Sequence, residues 1–235
     1  MKSDTEISSE AVEYIKSHKQ ELLNKFCSGY LPQSKPVSIF MAGSPGAGKT
    51  EFSKALIELI PEYKSSIVRI DPDEIRLWLP QYIPGKAELF QEAVSSGVSK
   101  LHDYVKSKSI SFLLDGTFAN LARARQNVQM SLDKNYAVKI QYVFQPPEIA
   151  WQFTQEREKV EGRNIKRESF ISQYLNSRET VAIIKEEFGN LIEVDLIERD
   201  VIKNTNNILF NVDNVDRYLS KKYSKSDLES LIWPT

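Results

Sequence analysis

A glycine-rich stretch, FMAGSPGAGKTEF at residues 40–52, carries the residues of this sequence best suited to chemistry. Its pattern G-x-x-x-x-G-K-[ST] is that of a loop that cradles phosphates. The glycines let backbone N–H groups face a phosphate, the lysine reaches the β and γ groups, and the threonine hydroxyl is set to ligate Mg²⁺. The predicted nucleotide-binding loop consists of Gly43, Ser44, Pro45, Gly46, Ala47, Gly48, Lys49, Thr50 and Glu51.

Asp71, Asp73 and Arg76 follow the second predicted strand, in the segment RIDPDEIRLWLP. Kinases of small molecules need a carboxylate at this sheet edge to accept the proton of the attacking hydroxyl. Asp71 is also typical of an N-cap before a helix. We therefore assign Asp71 to capping or to support of the site, and Asp73 to the catalytic base. Arg76, one turn further on, is either a substrate contact or a surface arginine, and we assign it as a substrate contact.

The segment ISFLLDGTF has the Walker B pattern of an apolar strand followed by an acid. Asp115 is placed to hold Mg²⁺ near the Thr50 hydroxyl. Gly116 and Thr117 would then lie beside the substrate. The segment predicts Asp115 as a metal ligand and, together with Thr117, as a substrate contact.

A basic segment, WQFTQEREKVEGRNIKRESF, begins at residue 151. Phosphoryl transfer needs cations on the oxygens of the moving phosphate, and P-loop kinases often supply them from a helical lid near this place in the chain. Glutamates interrupt the basic run, which is typical of a solvated helix face. We predict catalytic roles for Arg157 and Arg163 only.

Alternating strands and helices must position these residues. The predicted strands cover residues 37–42, 66–70, 110–114, 138–144 and 191–197. The predicted helices cover residues 10–28, 50–60, 73–79, 87–105, 120–132, 147–160, 168–188 and 226–232. Residues 201–203 and 208–212 suggest a hairpin that turns at residues 204–207.

This alternation predicts an α/β fold with a doubly wound, mainly parallel sheet of the P-loop kinase type, which binds ligands at the carboxyl ends of its strands. We expect a helical extension over residues 1–35 that packs on the core. The kinase domain is predicted over residues 36–200. A C-terminal hairpin and short helix over residues 201–235 belong to the same domain.

Composition favours one soluble catalytic unit. The 235 residues are 41% hydrophobic and 27% charged, which is typical of a soluble globular protein. The net charge of −1 predicts no extended basic surface for a long polyanion such as DNA. Cys27 alone excludes an intramolecular disulfide, and His18 and His102 lack zinc-ligand spacing. Without a signal-peptide pattern or an apolar run of roughly 18 residues, we expect no membrane association and a cytoplasmic protein.

Taken together, AGSPGAGKT, IDPDEIRLWLP, LLDGTF and REKVEGR resemble the zeta toxin family of P-loop kinases, over about residues 35–190. The best-known members use ATP to phosphorylate the 3′-hydroxyl on the amino sugar of UDP-N-acetylglucosamine. By position, the family's loop, base, acid and lid residues fall on Lys49, Thr50, Asp73, Asp115, Arg157 and Arg163. The resemblance implies ATP and Mg²⁺ as cofactors, a nucleotide sugar as acceptor and an antitoxin protein as a candidate partner.

Two departures from the toxins concern the acceptor. Asp115 stands where the best-known toxins carry glutamate, and FANLARARQNV does not match the segment that lines their sugar pocket. Polynucleotide 5′-hydroxyl kinases share the D-x-x-R pattern, although this sequence shows no basic groove, and NAD is a third acceptor. A non-catalytic nucleotide-binding interaction protein is the alternative from another class, but such a switch needs no base.

Overall fold

A mainly parallel sheet forms the centre of this computed structural model, which describes residues 2–161, 165–200, 205–219 and 221–232. Its strands are β1 Val37–Ala42, β2 Ile67–Ile70, β3 Ser111–Leu114, β4 Ala137–Phe144, β5 Ile192–Asp200 and β6 Thr205–Leu209. Across the described residues the six strands take the order β2-β3-β1-β4-β5-β6. Strands β1 to β5 are parallel, and β6 is antiparallel to β5. The predicted fold class is confirmed.

Helices connect the parallel strands and cover the sheet. They are α1 Asp4–Ser17, α2 Lys19–Cys27, α3 Lys49–Leu59, α4 Pro61–Ser66, α5 Pro72–Trp78, α6 Gln91–Ser107, α7 Leu121–Asp133, α8 Pro147–Glu161, α9 Arg167–Phe188 and α10 Lys225–Ile232. None of these helices, within the part of the chain that the structure describes, is long and apolar enough to cross a bilayer.

Strand β1 is buried on both faces. Successive strand side chains point to opposite sides of a sheet, so Phe40 enters the cluster that contains Leu101 of α6, whereas Met41 enters the cluster that contains Phe52 of α3. Such two-sided burial explains the continuous apolar run of this strand, because parallel sheets carry helices on both faces.

The order of the strands reverses next to β1, and this places the candidate site. The chain leaves β1, passes through α3 and α4, and returns in β2 on the far side of β3. The later strand β4 pairs with the other edge of β1. In open α/β sheets, ligands bind in the crevice beyond the carboxyl ends of the strands at this kind of reversal.

The N-terminal helix predicted over residues 10–28 is wrong in its extent, because two helices meet at His18. Helix α1 begins early because Ser3 and Glu6 form a capping box. The Ser3 hydroxyl accepts the Glu6 N–H at 3.3 Å, and the Glu6 carboxylate accepts the Ser3 N–H at 2.7 Å. Pro61 begins α4 shortly after α3 ends. Ser66, which was predicted to begin the second strand, is the last residue of α4.

The C-terminal hairpin has a different register from the predicted one. Its first arm is the end of β5, and residues 205–207, predicted to lie in the turn, belong to β6. Asn207 pairs with Glu198, and Asn206 pairs with Arg199. Cross-strand pairing here overrides the turn preference of asparagine. The predicted arm over residues 201–203 lies outside the described residues.

Helices α1 and α2 pack on α6 around Gly97. A Cβ atom built on Gly97 would lie 2.9 Å from Cγ2 of Ile75 and 3.3 Å from Cδ1 of Ile15. The N-terminal helices therefore share the main apolar core with α5 and α6.

We expect Gly97→Val to lower the free energy of unfolding by about 1–3 kcal/mol, because the added methyl groups overpack this junction. Urea denaturation of the full chain measures the change. Ser99→Val, at an exposed position of the same helix, is the matched control. Equal stability of the two variants would contradict the packing described for Gly97.

Candidate active site

A cavity of about 100 Å³ lies at the carboxyl edge of the sheet, where β1, β2 and β3 end. It collects side chains from the glycine-rich loop, from the segments after β2 and β3, and from α8 and α9. The predicted site residues that line it are Pro45, Gly46, Lys49, Thr50, Asp73, Asp115, Thr117 and Arg157. Residues far apart in the sequence thus meet at one place.

The glycine-rich loop is held against α8, and this contact requires a residue without a side chain. Gly46 has φ +70, and a Cβ atom there would lie 1.9 Å from the carbonyl oxygen of Ala150. The Gly43 N–H donates to the carbonyl of Thr117 at 3.2 Å, which joins the loop to the segment after β3. Helix α3 begins at Lys49, within this loop, so its N-terminal dipole end points towards the cavity.

Lys49 bends back over the loop, and its Nζ donates to the carbonyl oxygen of Ser44 at 2.6 Å. Glu51 lies outside the cavity, and its carboxylate is 3.9 Å from the guanidinium of Arg199. Of the predicted nucleotide-binding residues, Lys49 therefore faces the cavity and the Glu51 side chain does not.

The first turn of α5 holds the predicted base. Asp71 caps this helix by accepting the Asp73 N–H at 2.8 Å, which confirms its predicted capping role. The Asp73 carboxylate forms an ion pair with Arg76 and lies 3.5 Å from a guanidinium nitrogen of Arg157. Asp73 thus stands between a cation of its own helix and a cation of α8.

Arg163, the second predicted lid arginine, lies outside the described residues. Arg76 is buried, and its guanidinium also lies 3.5 Å from the Gln91 side-chain oxygen. It lines a second cavity rather than the first. Arg157 and Arg76 therefore approach Asp73 from different sides.

The carboxylate of Asp115 is buried, with 5% of its side chain exposed. One of its oxygens accepts hydrogen bonds from Arg69 at 2.7 Å and from the Ser53 hydroxyl at 3.2 Å. The Asp115 N–H donates to the carbonyl of Ile70 at 2.9 Å, which fixes the start of this turn. Asp115 and Thr50 line the same cavity, as expected from their predicted common role at a metal.

Sequence reasoning missed Arg69, a single charged residue inside the apolar strand β2. Its guanidinium donates to Asp71 at 2.6 Å, to Asp115 at 2.7 Å and to Glu74 at 2.6 Å, and its Nε donates to Ser53 at 3.0 Å. Burial opposes the charge of Arg69, but the three carboxylates outweigh it and raise its pKa. An isolated arginine in an apolar strand is the signal that could have revealed this network.

The same network acts on Asp71. Burial raises the pKa of this carboxyl above its usual range, and the charge of Arg69 opposes that increase. Thr154 and Gln173, which also line the cavity, were missed as well. They lie on α8 and α9, and no motif marks them.

A second cavity of about 570 Å³ adjoins the first and runs between α6 and α7. The two share a wall of Pro72, Asp115, Gly116, Thr117 and Gln173. Arg76, a predicted substrate contact, lines only the second. The larger cavity therefore opens beside Asp73 and away from the glycine-rich loop.

This fold and this loop define the P-loop kinase class, and the comparison with protein families is more specific. Residues 20–214 match the family described as Zeta toxin, and the chain therefore belongs to the zeta toxin family.

Individual relatives are distant in sequence. Toxin PezT of Streptococcus pneumoniae serotype 4 is 24% identical over 136 residues, which cover 55% of this chain and 53% of that protein. The chain thus matches about half the length of this curated relative.

Solved structures show the same fold. The PezAT chromosomal toxin-antitoxin system of the human pathogen Streptococcus pneumoniae gives a TM-score of 0.60 at 17% identity, covering 97% of this chain and 89% of that chain. The AvrRxo1-ORF1:-ORF2 structure with ATP gives a TM-score of 0.63 at 13% identity, covering 91% and 70%.

We expect Arg69→Met to lower the free energy of unfolding by about 3 kcal/mol, because it leaves buried carboxylates without their cation. Urea denaturation measures the loss. Arg125→Met, which breaks an exposed pair with Glu187, should cost less than about 1 kcal/mol. Adding Asp115→Asn to Arg69→Met should restore part of the loss, and equal effects of the two arginine variants would contradict the network.

Proposed function

We propose that this protein is an ATP-dependent kinase that transfers the γ-phosphate to a hydroxyl of a nucleotide sugar such as UDP-N-acetylglucosamine. The observation that carries the proposal is the junction of the two cavities. Lys49 and Thr50 of a phosphate-binding loop line the smaller cavity together with Asp73. Asp73 forms an ion pair with Arg76, which lines the larger cavity. The cavity of about 570 Å³ on the other side has the size of a small-molecule site.

In this proposal Asp73 accepts the proton of the acceptor hydroxyl. A base must lie within hydrogen-bond reach of that proton. Asp73 lines the smaller cavity, and Pro72, its neighbour in the chain, belongs to the wall that the two cavities share. Arg76 orients its carboxylate from the side of the second cavity. Arg157, 3.5 Å from Asp73, reaches the same place from α8 and would neutralise charge on the transferred phosphate.

Thr50 and Asp115 would hold Mg²⁺ together with the phosphates of ATP. A hydroxyl and one carboxylate suit this ion, which prefers oxygen ligands and takes others from phosphates and water. Arg69 and Ser53 occupy one carboxylate oxygen of Asp115 and leave the other for this role. The bound ion would offset the negative charge of the β- and γ-phosphates.

The relatives support parts of the proposal. A structural neighbour is described with ATP, which favours ATP as the phosphate donor. Another neighbour belongs to a toxin-antitoxin system, so we propose an antitoxin protein as a partner. We assign the catalytic unit to residues 36–200, with the N-terminal helices as support for α6.

The direct test is product analysis. We expect the wild-type chain with ATP and Mg²⁺ to add one phosphate to UDP-N-acetylglucosamine, detected by mass spectrometry. Lys49→Ala should yield no product and bind ATP more weakly, because it removes the positive charge that contacts the phosphates of ATP. The stability of the fold should change little. Phosphate on an oligonucleotide 5′ end or on NAD, but on no sugar, would overturn the nucleotide-sugar assignment.

We expect Asp73→Asn to bind ATP normally and to lower the rate of transfer by roughly 10²- to 10⁴-fold, because the amide keeps the shape of the carboxylate but takes no proton. Calorimetry measures binding, and single-turnover kinetics measures transfer. Asp133→Asn, at an exposed acid of α7 that lines neither cavity, is the control. Full activity of Asp73→Asn would exclude the base assignment.

A further inference from the structure

The second cavity extends far beyond the junction with the first. It starts beside Arg76 and Gln91, and it continues along α6 as far as Lys106. At 1.5 Å per residue, the axial distance from Gln91 to Lys106 is about 22 Å. Met130 of α7 lies at this far end, with its sulfur 3.9 Å from Nζ of Lys106.

Lys106 is a buried charge with weak partners. Only 4% of its side chain is exposed, yet its ammonium carries three donors. Its contacts within the described residues are the Met130 sulfur and a carboxylate oxygen of Asp103 at 3.4 Å. Asp103 is itself 73% exposed and therefore largely solvated. A buried ammonium normally has stronger hydrogen-bond partners than these.

The neighbours of Lys106 at this end of the cavity are mostly neutral polar groups, and the lining also includes the exposed carboxylate of Asp103. His102, one turn earlier, is buried, and burial together with the charge of Lys106 lowers its pKa to about 4. Its Nε2 has no hydrogen-bond partner within the described residues. Asn127 of α7, about one turn before Met130, lines the opposite wall, and Arg123 lines it one turn further from this end. This end therefore suits a group that is rich in oxygen acceptors.

We propose that Lys106 anchors the nucleotide portion of the acceptor, by binding phosphate or base oxygens at the end remote from the phosphorylated hydroxyl. The inference rests on the proposed function and deepens it. The acceptor is then an elongated molecule, with its sugar beside Asp73 and its nucleotide portion along α6. Lys106 is a specificity-determining residue that distinguishes long acceptors from short ones.

The kinetic test compares a long acceptor, UDP-N-acetylglucosamine, with a short one, N-acetylglucosamine 1-phosphate. Lys106→Met should raise KM for the long acceptor by 10-fold or more and change KM for the short acceptor by less than about 2-fold. Lys106→Arg should restore most of the affinity for the long acceptor. Lys100→Met, on the same helix and outside the cavity, should match wild type with both. Equal KM changes for the two acceptors in Lys106→Met would overturn the inference.

A binding test separates this inference from the proposed function. With a non-hydrolysable ATP analogue saturating the glycine-rich loop, calorimetry should show that UDP binds wild type and binds Lys106→Met at least 10-fold more weakly. This result would support the subsite even if no sugar were phosphorylated. Undetectable binding of UDP to wild type, or equal binding to both, would overturn it. A parallel loss of uridine binding would identify base oxygens, and a loss confined to UDP would identify phosphate oxygens.

Discussion

The guanidinium of Arg69 is the interaction on which the candidate site depends. It joins the ends of β2 and β3 with the first turn of α5 and with α3, through bonds to Asp71, Asp115, Glu74 and Ser53. Breaking one member of a buried ionic network leaves the others unpaired, so these segments are held together or lost together. The position of Asp73 follows, because Asp71, which Arg69 holds, caps the helix that carries it.

Charge in this protein is organised locally. The net charge is only −1, but cations approach the junction of the cavities from three elements, as Lys49 on α3, Arg76 on α5 and Arg157 on α8. Asp73 and Asp115 supply the opposing charge. A compact polyphosphate ligand needs only such a local patch, whereas a long nucleic acid needs an extended one.

Helix α6 connects the N-terminal helices to the acceptor side of the site. One face packs on α1 through Gly97, where no side chain fits between Ile15 and Ile75. Another face lines the larger cavity from Gln91 to Lys106. The N-terminal helices therefore support the wall along which we place the acceptor.

The sequence by itself determined the features that depend on local spacing. The glycine-rich loop between a buried strand and a helix, the alternation of elements, and the Asp71 cap all follow from neighbouring residues. The capping box at Ser3 also follows from the S-x-x-E pattern, but the apolar stripe by itself predicted a later start for α1. The hairpin register was not readable, because pairing with β5 decides it.

Only the tertiary structure decided which residues far apart in the sequence form ion pairs or line the same cavity. Arg69 reads as a strand residue until β3 brings Asp115 to its guanidinium. Lys106 reads as part of a solvated helix face until burial leaves its ammonium beside Met130 at the end of a cavity. Local patterns fix backbone conformation through short-range sterics and hydrogen bonds. Burial and electrostatic partners depend on contacts across the sheet, which spacing along the chain does not contain.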